Sequence, residues 1–286
     1  MTYENAITSS GYAVPLFVYP NPNSNISKTL LIGPALGLSA SYYQPFALAL
    51  AERGYHCVIM EQRGHGESAL RPSHKSNWGF GEWLSEDIPS TIAWINARFP
   101  DTDIVPIGHS ISGHLFSCYA GLYPNTFKKI ILITCVSPWI KAYNGERGMR
   151  LQFLCYTLPI VQTILGYYPG KTYGFGGTEA RGMMQSWREL AKENRYVANG
   201  IEQDLNKSLS HFQGQLLSLR MEHDNLASDK AYEVVLDKFN SATIDRIVID
   251  SATAGFNIDH FRWARKPEAS TNAIDEWLKQ IQKNTD

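Results

Sequence analysis

The sequence predicts an α/β protein with a mostly parallel central sheet, helices on both faces and a helical insertion in its second half. Apolar runs of strand length alternate with helix-length stretches from Thr29 to Val136, the pattern of βαβ units. The alternation stops after Ser137-Pro138, where the chain becomes rich in aromatic residues and glycine. Strand-like runs return at Gln215–Leu219 and Arg246–Ile249, so the intervening segment interrupts a sheet.

The first half predicts four strands and three helices in alternation. The strand runs are Thr29–Ile32, Tyr55–Met60, Ile104–Ile107 and Lys129–Val136. The helical stretches are Tyr43–Arg53, Glu82–Arg98 and Ile111–Tyr123, with apolar residues at helical spacing. Gly54 follows the first of these helices as a C-terminal cap, and Pro100 ends the second.

The insertion contains an uncharged segment, Leu151–Gly170. A membrane-spanning helix needs about 20 predominantly apolar residues, and this segment carries two glutamines and two threonines. Pro159 in its middle predicts two short apolar helices broken at that residue. Further helices are predicted at Met183–Glu193 and Ala273–Ile281. We expect a sheet domain formed by 1–137 and 214–286, with a helical cap at 138–213.

Composition narrows the class of protein. The 286 residues include 26 basic and 27 acidic side chains, a formal charge of −1, with no Lys/Arg cluster of the kind nucleic-acid binding requires. The 44% hydrophobic and 19% charged content is that of an ordered globular chain. Four singly spaced cysteines indicate neither a zinc site nor a disulfide framework. The first ten residues lack the pattern of a signal peptide, which predicts a cytoplasmic location.

The strongest local signal is Gly108-His109-Ser110-Ile111-Ser112-Gly113, between a strand run and a helix. A nucleophile on such a turn needs small neighbours, because the backbone is strained and the flanking elements approach closely. The helix N-terminus behind Ser110 favours developing negative charge. The segment resembles the nucleophile elbow of the α/β-hydrolase superfamily, with Ser112 where G-x-S-x-G has its second glycine.

Two upstream segments extend the resemblance. Glu61–Ser68 is similar to the D-x-R-G-x-G-x-S loop of that superfamily, with Glu61 in place of aspartate. Gly33–Gly37 occupies the place of a His-Gly oxyanion turn, without the histidine. The chemistry needs a backbone N–H there, and Pro34 has none, so we expect Ala35 to pair with the N–H of Ile111 as the oxyanion hole. An ordinary strand-to-helix turn explains the same glycines equally well.

The resemblance implies an acid and then a histidine downstream of the serine. His260, in Asn257–Phe261, lies where the superfamily has its histidine loop, and we expect it to be the general base. Asp224 is the expected acid, because family members place an aspartate four residues before a proline and Ser228 holds that last position. Asp229 and Asp250 remain alternatives for the acid.

The resemblance covers most of the chain, from about Gly11 to Leu278. Gly166–Lys171, Gly174–Gly177 and Trp187 resemble the cap of uncharacterised bacterial α/β-hydrolases related to serine aminopeptidases and monoacylglycerol lipases. The apolar side chains of Leu151–Tyr168 then either pack the cap onto the sheet domain or line an acyl pocket.

The resemblance implies a serine hydrolase acting on a small-molecule acyl substrate. We expect it to cleave a carboxylic ester or thioester with a hydrophobic acyl group through an acyl-enzyme, without a cofactor or metal. An acyltransferase with the same triad, or a non-catalytic small-molecule receptor on the same scaffold, are the alternatives.

Overall fold

A computed structural model describes residues 1–23 and 27–283. Its main sheet has eight strands, which are β1 Thr2–Ile7, β2 Ala13–Tyr19, β3 Lys28–Gly33, β4 His56–Met60, β5 Asp103–His109, β6 Lys129–Ile133, β9 Gln215–Met221 and β10 Thr243–Ile249. Their order across the sheet is β1-β2-β4-β3-β5-β6-β9-β10. β1 and β2 form an antiparallel hairpin, β2 is antiparallel to β4, and the remaining pairs are parallel. The predicted mostly parallel sheet is therefore confirmed.

Helices cover both faces of this sheet. They are α1 Gln44–Glu52, α2 Phe80–Glu82, α3 Ile88–Arg98, α4 Ile111–Leu122, α9 Asp229–Leu236, α10 Ser251–Ala254 and α11 Glu268–Lys283. Side chains of β3 alternate between two separate hydrophobic cores, because successive residues of a strand point to opposite faces. Leu31 packs in the core that contains α3 and α4, while Leu30 and Ile32 pack in the core that contains α1 and α11. The nearly unbroken apolar runs of the sequence reflect burial on both faces.

The segment between β6 and β9 is mainly helical. It contains α5 Gly145–Leu165, β7 Tyr167–Pro169, α6 Gly170–Tyr173, β8 Thr178–Ala180, α7 Arg181–Glu193 and α8 Leu205–Leu209. β7 and β8 form a two-stranded antiparallel sheet that the sequence did not predict, since each strand is only three residues long. The boundaries of the cap at 138 and 213 stay a prediction.

The break predicted at Pro159 is wrong, because α5 runs through that residue without interruption. Proline has no N–H, so the carbonyl four residues earlier, that of Cys155, loses its partner within the helix. The Arg188 side chain on α7 replaces that partner, with its Nε donating to the Cys155 carbonyl at 2.7 Å. The Pro159 ring itself lies at the exposed side of the helix. A tertiary hydrogen bond therefore compensates for a residue that would otherwise end the helix.

We expect Arg188→Met to lower the free energy of unfolding by about 1–3 kcal/mol, the cost of an unsatisfied buried acceptor. In a Pro159→Ala background the same change should cost clearly less, because the restored N–H bonds the Cys155 carbonyl. Urea unfolding of the four proteins of this double-mutant cycle gives the coupling. Equal losses in both backgrounds would contradict the explanation.

Candidate active site

Ser110 lies at the tip of the sharp turn between β5 and α4. Its backbone has φ 53° and ψ −114°, a conformation that costs energy for any residue with a Cβ. The surrounding structure fixes this conformation through the Ser110 N–H, which donates to the Ile133 carbonyl on β6 at 3.1 Å. The serine side chain stands at the carboxyl edge of the parallel strands and at the N-terminus of α4.

Small residues around the turn allow α4 to start against the sheet. A Cβ on Gly108 would lie only 2.3 Å from the Cα of Gly113, so the two glycines permit a backbone contact. Ser112 is fully buried and its Oγ donates to the Gly33 carbonyl at 2.6 Å and to that of His109 at 3.0 Å. Gly33 in turn has no room for a Cβ, which would meet the Ser112 Cβ at 2.6 Å. The serine that departs from the glycine motif is thus accommodated by a glycine on the neighbouring strand.

Asp224 and His260 form a buried pair. The His260 Nδ1 lies 2.9 Å from Asp224 Oδ2, and the side chains are only 3% and 2% exposed. Asp224 follows β9, and His260 lies on the loop between α10 and α11. The backbone joins the two loops, since the His223 N–H donates to the Ile258 carbonyl at 3.1 Å. Trp263 Nε1 donates to the His260 carbonyl at 2.9 Å and so holds the histidine loop.

Asp224 is held in its ionised form. Burial by itself would raise the pKa of this carboxyl, but the hydrogen bond and charge of His260 outweigh it, and the pKa lies below its ordinary value. Tyr232 on α9 adds to the effect, because its hydroxyl donates to the same Oδ2 at 2.6 Å. The Leu226 N–H donates to Oδ1 at 3.0 Å. With its Nδ1 facing a carboxylate, the imidazole keeps Nε2 available as a proton acceptor.

The two competing acids lie elsewhere. Asp229 occupies the first turn of α9 and pairs with Arg220 on β9. Asp250 caps α10 by accepting from the Thr253 N–H at 2.7 Å. Both therefore have local structural partners, and of the three aspartates only Asp224 contacts His260.

The serine and the histidine loop meet through His109. The ring of His109, which precedes Ser110, lies 5.0 Å from the His260 ring, centre to centre. Burial lowers the pKa of His109 far below its usual value, so this ring is neutral. Within the described residues Ser110 Oγ makes no hydrogen bond to His260. Such bonds are often long in the absence of substrate and tighten when substrate binds.

The N–H of Ala35 is not free to bind an oxyanion. It donates to the Tyr43 hydroxyl at 2.8 Å, and that hydroxyl lies 2.6 Å from His109 Nδ1. The assignment of Ala35 is corrected for this reason. Across residues 1–23 and 27–283, the backbone N–H groups of Leu36 and Ile111 donate no hydrogen bond. Leu36 follows Ala35 on the turn after β3, and Ile111 follows Ser110 on the turn after β5, so one unbonded donor lies beyond the carboxyl end of each of these neighbouring strands.

The insertion contacts this turn directly. A Cβ on Gly37 would lie 2.4 Å from the backbone N of Gly177, so the two backbones touch. Glu179 fixes the approach, because its Oε1 accepts from the Gly177 N–H at 2.7 Å and its Oε2 lies 3.1 Å from His65 Nε2. Glu179 is 3% exposed, which places this link in the interior.

In the part of the chain that the structure describes, no group of three or more His, Cys, Asp or Glu side chains is arranged to hold a metal ion. None of the helices in the same ranges is long and apolar enough to cross a membrane.

Comparison with known families agrees with this arrangement of strands and loops. The family model described as serine aminopeptidase, S33, matches residues 24–166, which is 143 of the 286 residues and so half of the chain. The chain belongs to this family. The matched region runs from β3 to α5 and includes the turn with Ser110.

Individual proteins similar to this chain are distant from it in sequence. A non-heme haloperoxidase from Rhodococcus erythropolis is 26% identical over 160 residues, which cover 52% of this chain and 56% of the relative, little more than half of its length. A putative aryl esterase structure from Burkholderia cenocepacia shares 14% identity with a TM-score of 0.59, covering 99% and 100% of the two chains. A carboxylesterase structure from the Thaumarchaeon Nitrososphaera gargenis shares 15% identity with a TM-score of 0.61, also covering 99% and 100%. These structures establish the α/β-hydrolase fold.

Sequence reasoning missed several residues of the site. Tyr232 bonds the predicted acid Asp224, Tyr43 bonds the backbone N–H of Ala35, and His109 bonds Tyr43. Tyr232 follows Asp224 by eight residues in the next helix, and no spacing rule connects a tyrosine there to the acid. Pro34 excludes only its own N–H as an oxyanion donor, so the sequence left the N–H of Leu36 as open as that of Ala35.

The lowered pKa of Asp224 predicts a pH-dependent stability. Its ionised form stabilises the fold above the unfolded pKa of about 3.9, and this contribution is lost as the pH falls through the lower folded pKa. Asp224→Asn should therefore be less stable than the parent at neutral pH by about 1–3 kcal/mol, and the difference should shrink below about pH 4. Urea unfolding at several pH values measures this, with the exposed Asp101→Asn as control. A difference that stays constant with pH would contradict the prediction.

Proposed function

We propose that this protein is a serine hydrolase that cleaves a carboxylic ester or thioester with a hydrophobic acyl group. Ser110 attacks the carbonyl carbon while His260 Nε2 accepts its proton, and Asp224 stabilises the imidazolium. The acyl-enzyme forms as His260 returns the proton to the leaving alcohol or thiol. Water activated by His260 then releases the acid and restores Ser110.

In this proposal the oxyanion is bound by the N–H groups of Ile111 and Leu36. Both donors are unbonded within the described residues, as an oxyanion hole requires before substrate arrives. The neutral His109 supports the proposal, because a charged imidazole 5.0 Å from His260 would oppose the imidazolium that forms when His260 accepts the Ser110 proton. The Tyr43 hydroxyl bonds the Ala35 N–H and His109 together and keeps this turn in place.

Apolar surface beside the proposed triad supports a hydrophobic acyl group. The Phe261 ring packs against the imidazole of His260 at 4.8 Å between centres and is 37% exposed. Leu36 lies on the oxyanion turn and is half-buried. A charged acyl chain would lose hydration between such walls without gaining a partner.

The observation that carries the proposal is the buried Asp224–His260 pair next to the strained Ser110 turn. We expect a fluorophosphonate to add one phosphonyl group per chain, measured by intact mass, and peptide mapping to locate it on Ser110. Ser110→Ala should give no adduct. Ser112→Ala, which removes the other serine of the turn, should still be labelled.

Labelling that persists in Ser110→Ala would place the nucleophile elsewhere. A folded parent that neither reacts with the probe nor hydrolyses p-nitrophenyl esters would favour a receptor on the hydrolase scaffold.

Tyr232 is proposed as a positioning residue for Asp224. Tyr232→Phe removes one charge-assisted hydrogen bond from the carboxylate, worth about 1.5–3 kcal/mol. We expect kcat for a p-nitrophenyl ester to fall roughly tenfold or more with little change in KM, because Tyr232 does not meet the substrate in this mechanism. The matched control is Tyr55→Phe, which removes a hydroxyl bonded to Asp275 far from the site. Equal losses of kcat in both variants would indicate a general effect of stability.

A further inference from the structure

The outer face of α5 is an apolar stripe that packs against nothing in the described chain. Its members recur every three or four residues, so they lie on one side of the helix. They are Met149, Phe153, Tyr156, Ile160 and Ile164, each between 62% and 69% exposed. The stripe is about 22 Å long, at roughly 1.5 Å per residue. A helix side that faces water normally carries polar and charged side chains, so a row of large apolar ones is unusual.

The side chains of the stripe fit neither of the two readings that the sequence suggested for this segment, packing of the cap or lining of an acyl pocket. Leu158 and Cys155 on the inner face do pack against the rest of the chain. The stripe side chains face solvent, so they neither pack the cap nor line a pocket beside Ser110. No acidic or basic residue occurs between 151 and 170, which keeps the stripe free of charge along most of its length.

The insertion that carries the stripe has a net positive charge, although Arg150 beside the stripe pairs with Glu146. Residues 138–213 contain nine basic and six acidic side chains, a net charge of +3, whereas the rest of the chain has a net charge of −4. Lys141 and Lys192 line a cavity of about 180 Å³ that opens beside Tyr156. Arg150 lies at one end of the uncharged segment and Lys171 follows the other. An apolar row with basic flanks is complementary to an anionic lipid surface, where acyl chains receive the row and headgroups receive the lysines.

A second copy of the chain fits the stripe less well. Five large side chains about two-thirds exposed offer roughly 600 Å². A stable protein interface covers about 800 Å² on each partner. A pair of stripes would also bring the positive charges of two insertions together. A bilayer would contact a single stripe, and its anionic headgroups would attract the same positive charges.

We propose that the α5 stripe is a membrane-docking surface that binds anionic lipid bilayers, with the helix lying in the plane of the interface. Phe153, Tyr156 and Ile160 form its centre, and Lys141 and Lys192 contact lipid phosphates. The proposal does not depend on catalysis.

The test is flotation of the full-length protein with vesicles. We expect binding to phosphatidylcholine vesicles that contain phosphatidylglycerol, and much weaker binding to phosphatidylcholine alone. Phe153→Ser with Ile160→Ser should lower the partition coefficient at least tenfold, since binding scales with buried apolar area. Lys141→Gln with Lys192→Gln should lower it about fivefold per lysine on the anionic vesicles only.

Leu48→Ser with Val248→Ser is the matched control, because these aliphatic side chains are similarly exposed but lie outside the stripe. It should bind as the parent does, and so should Ser110→Ala. The proposal is overturned if the parent does not float with anionic vesicles, or if the stripe variant floats equally well. A parent that is dimeric by size-exclusion chromatography and a stripe variant that is monomeric would assign the stripe to a second copy instead.

Discussion

The close approach of α4 to the sheet is the constraint on which the site depends. Gly108 and Gly113 bring the helix start so near β5 that no side chain fits between them. The turn has then no room to relax, and Ser110 keeps a backbone conformation that would otherwise be unfavourable. The buried Ser112 hydroxyl fastens the same helix turn to β3. The position of the Ser110 hydroxyl, the proposed nucleophile, therefore depends on packing at neighbouring residues of the turn.

The two histidines of the site, His260 and His109, have different hydrogen-bond partners. His260 faces a carboxylate that is itself held by Tyr232 and the Leu226 N–H. His109, only 5.0 Å away, is buried against Trp263 and bonded to a neutral hydroxyl. His260 therefore has a carboxylate as its partner, whereas His109 has a neutral hydroxyl. In the proposed mechanism these different partners, and not residue type, distinguish the general base His260 from the scaffold residue His109.

The features of this arrangement that depend on local sequence could be predicted. The strands β3 to β6, the turn at Ser110 and the order of Asp224 and His260 follow from apolar runs and from motifs that sit on loop ends. Features set by tertiary contact could not be predicted. The helix continues through Pro159 because Arg188, on another helix, bonds the Cys155 carbonyl. The Ala35 N–H is bonded by Tyr43, which lies beyond the turn. The β1–β2 hairpin was also missed, since the N-terminal pairing depends on β4 as its neighbour.

The contact between Gly37 and Gly177 has a consequence for how such a protein can diversify. Here the insertion meets the core backbone to backbone, and the Glu179–His65 link fastens it from within. An insertion without the matching glycine and carboxylate would push on the turn that carries Leu36. Substrate preference can therefore change through substitutions in the exposed parts of the insertion. The short loop at 174–177 can change only together with the core.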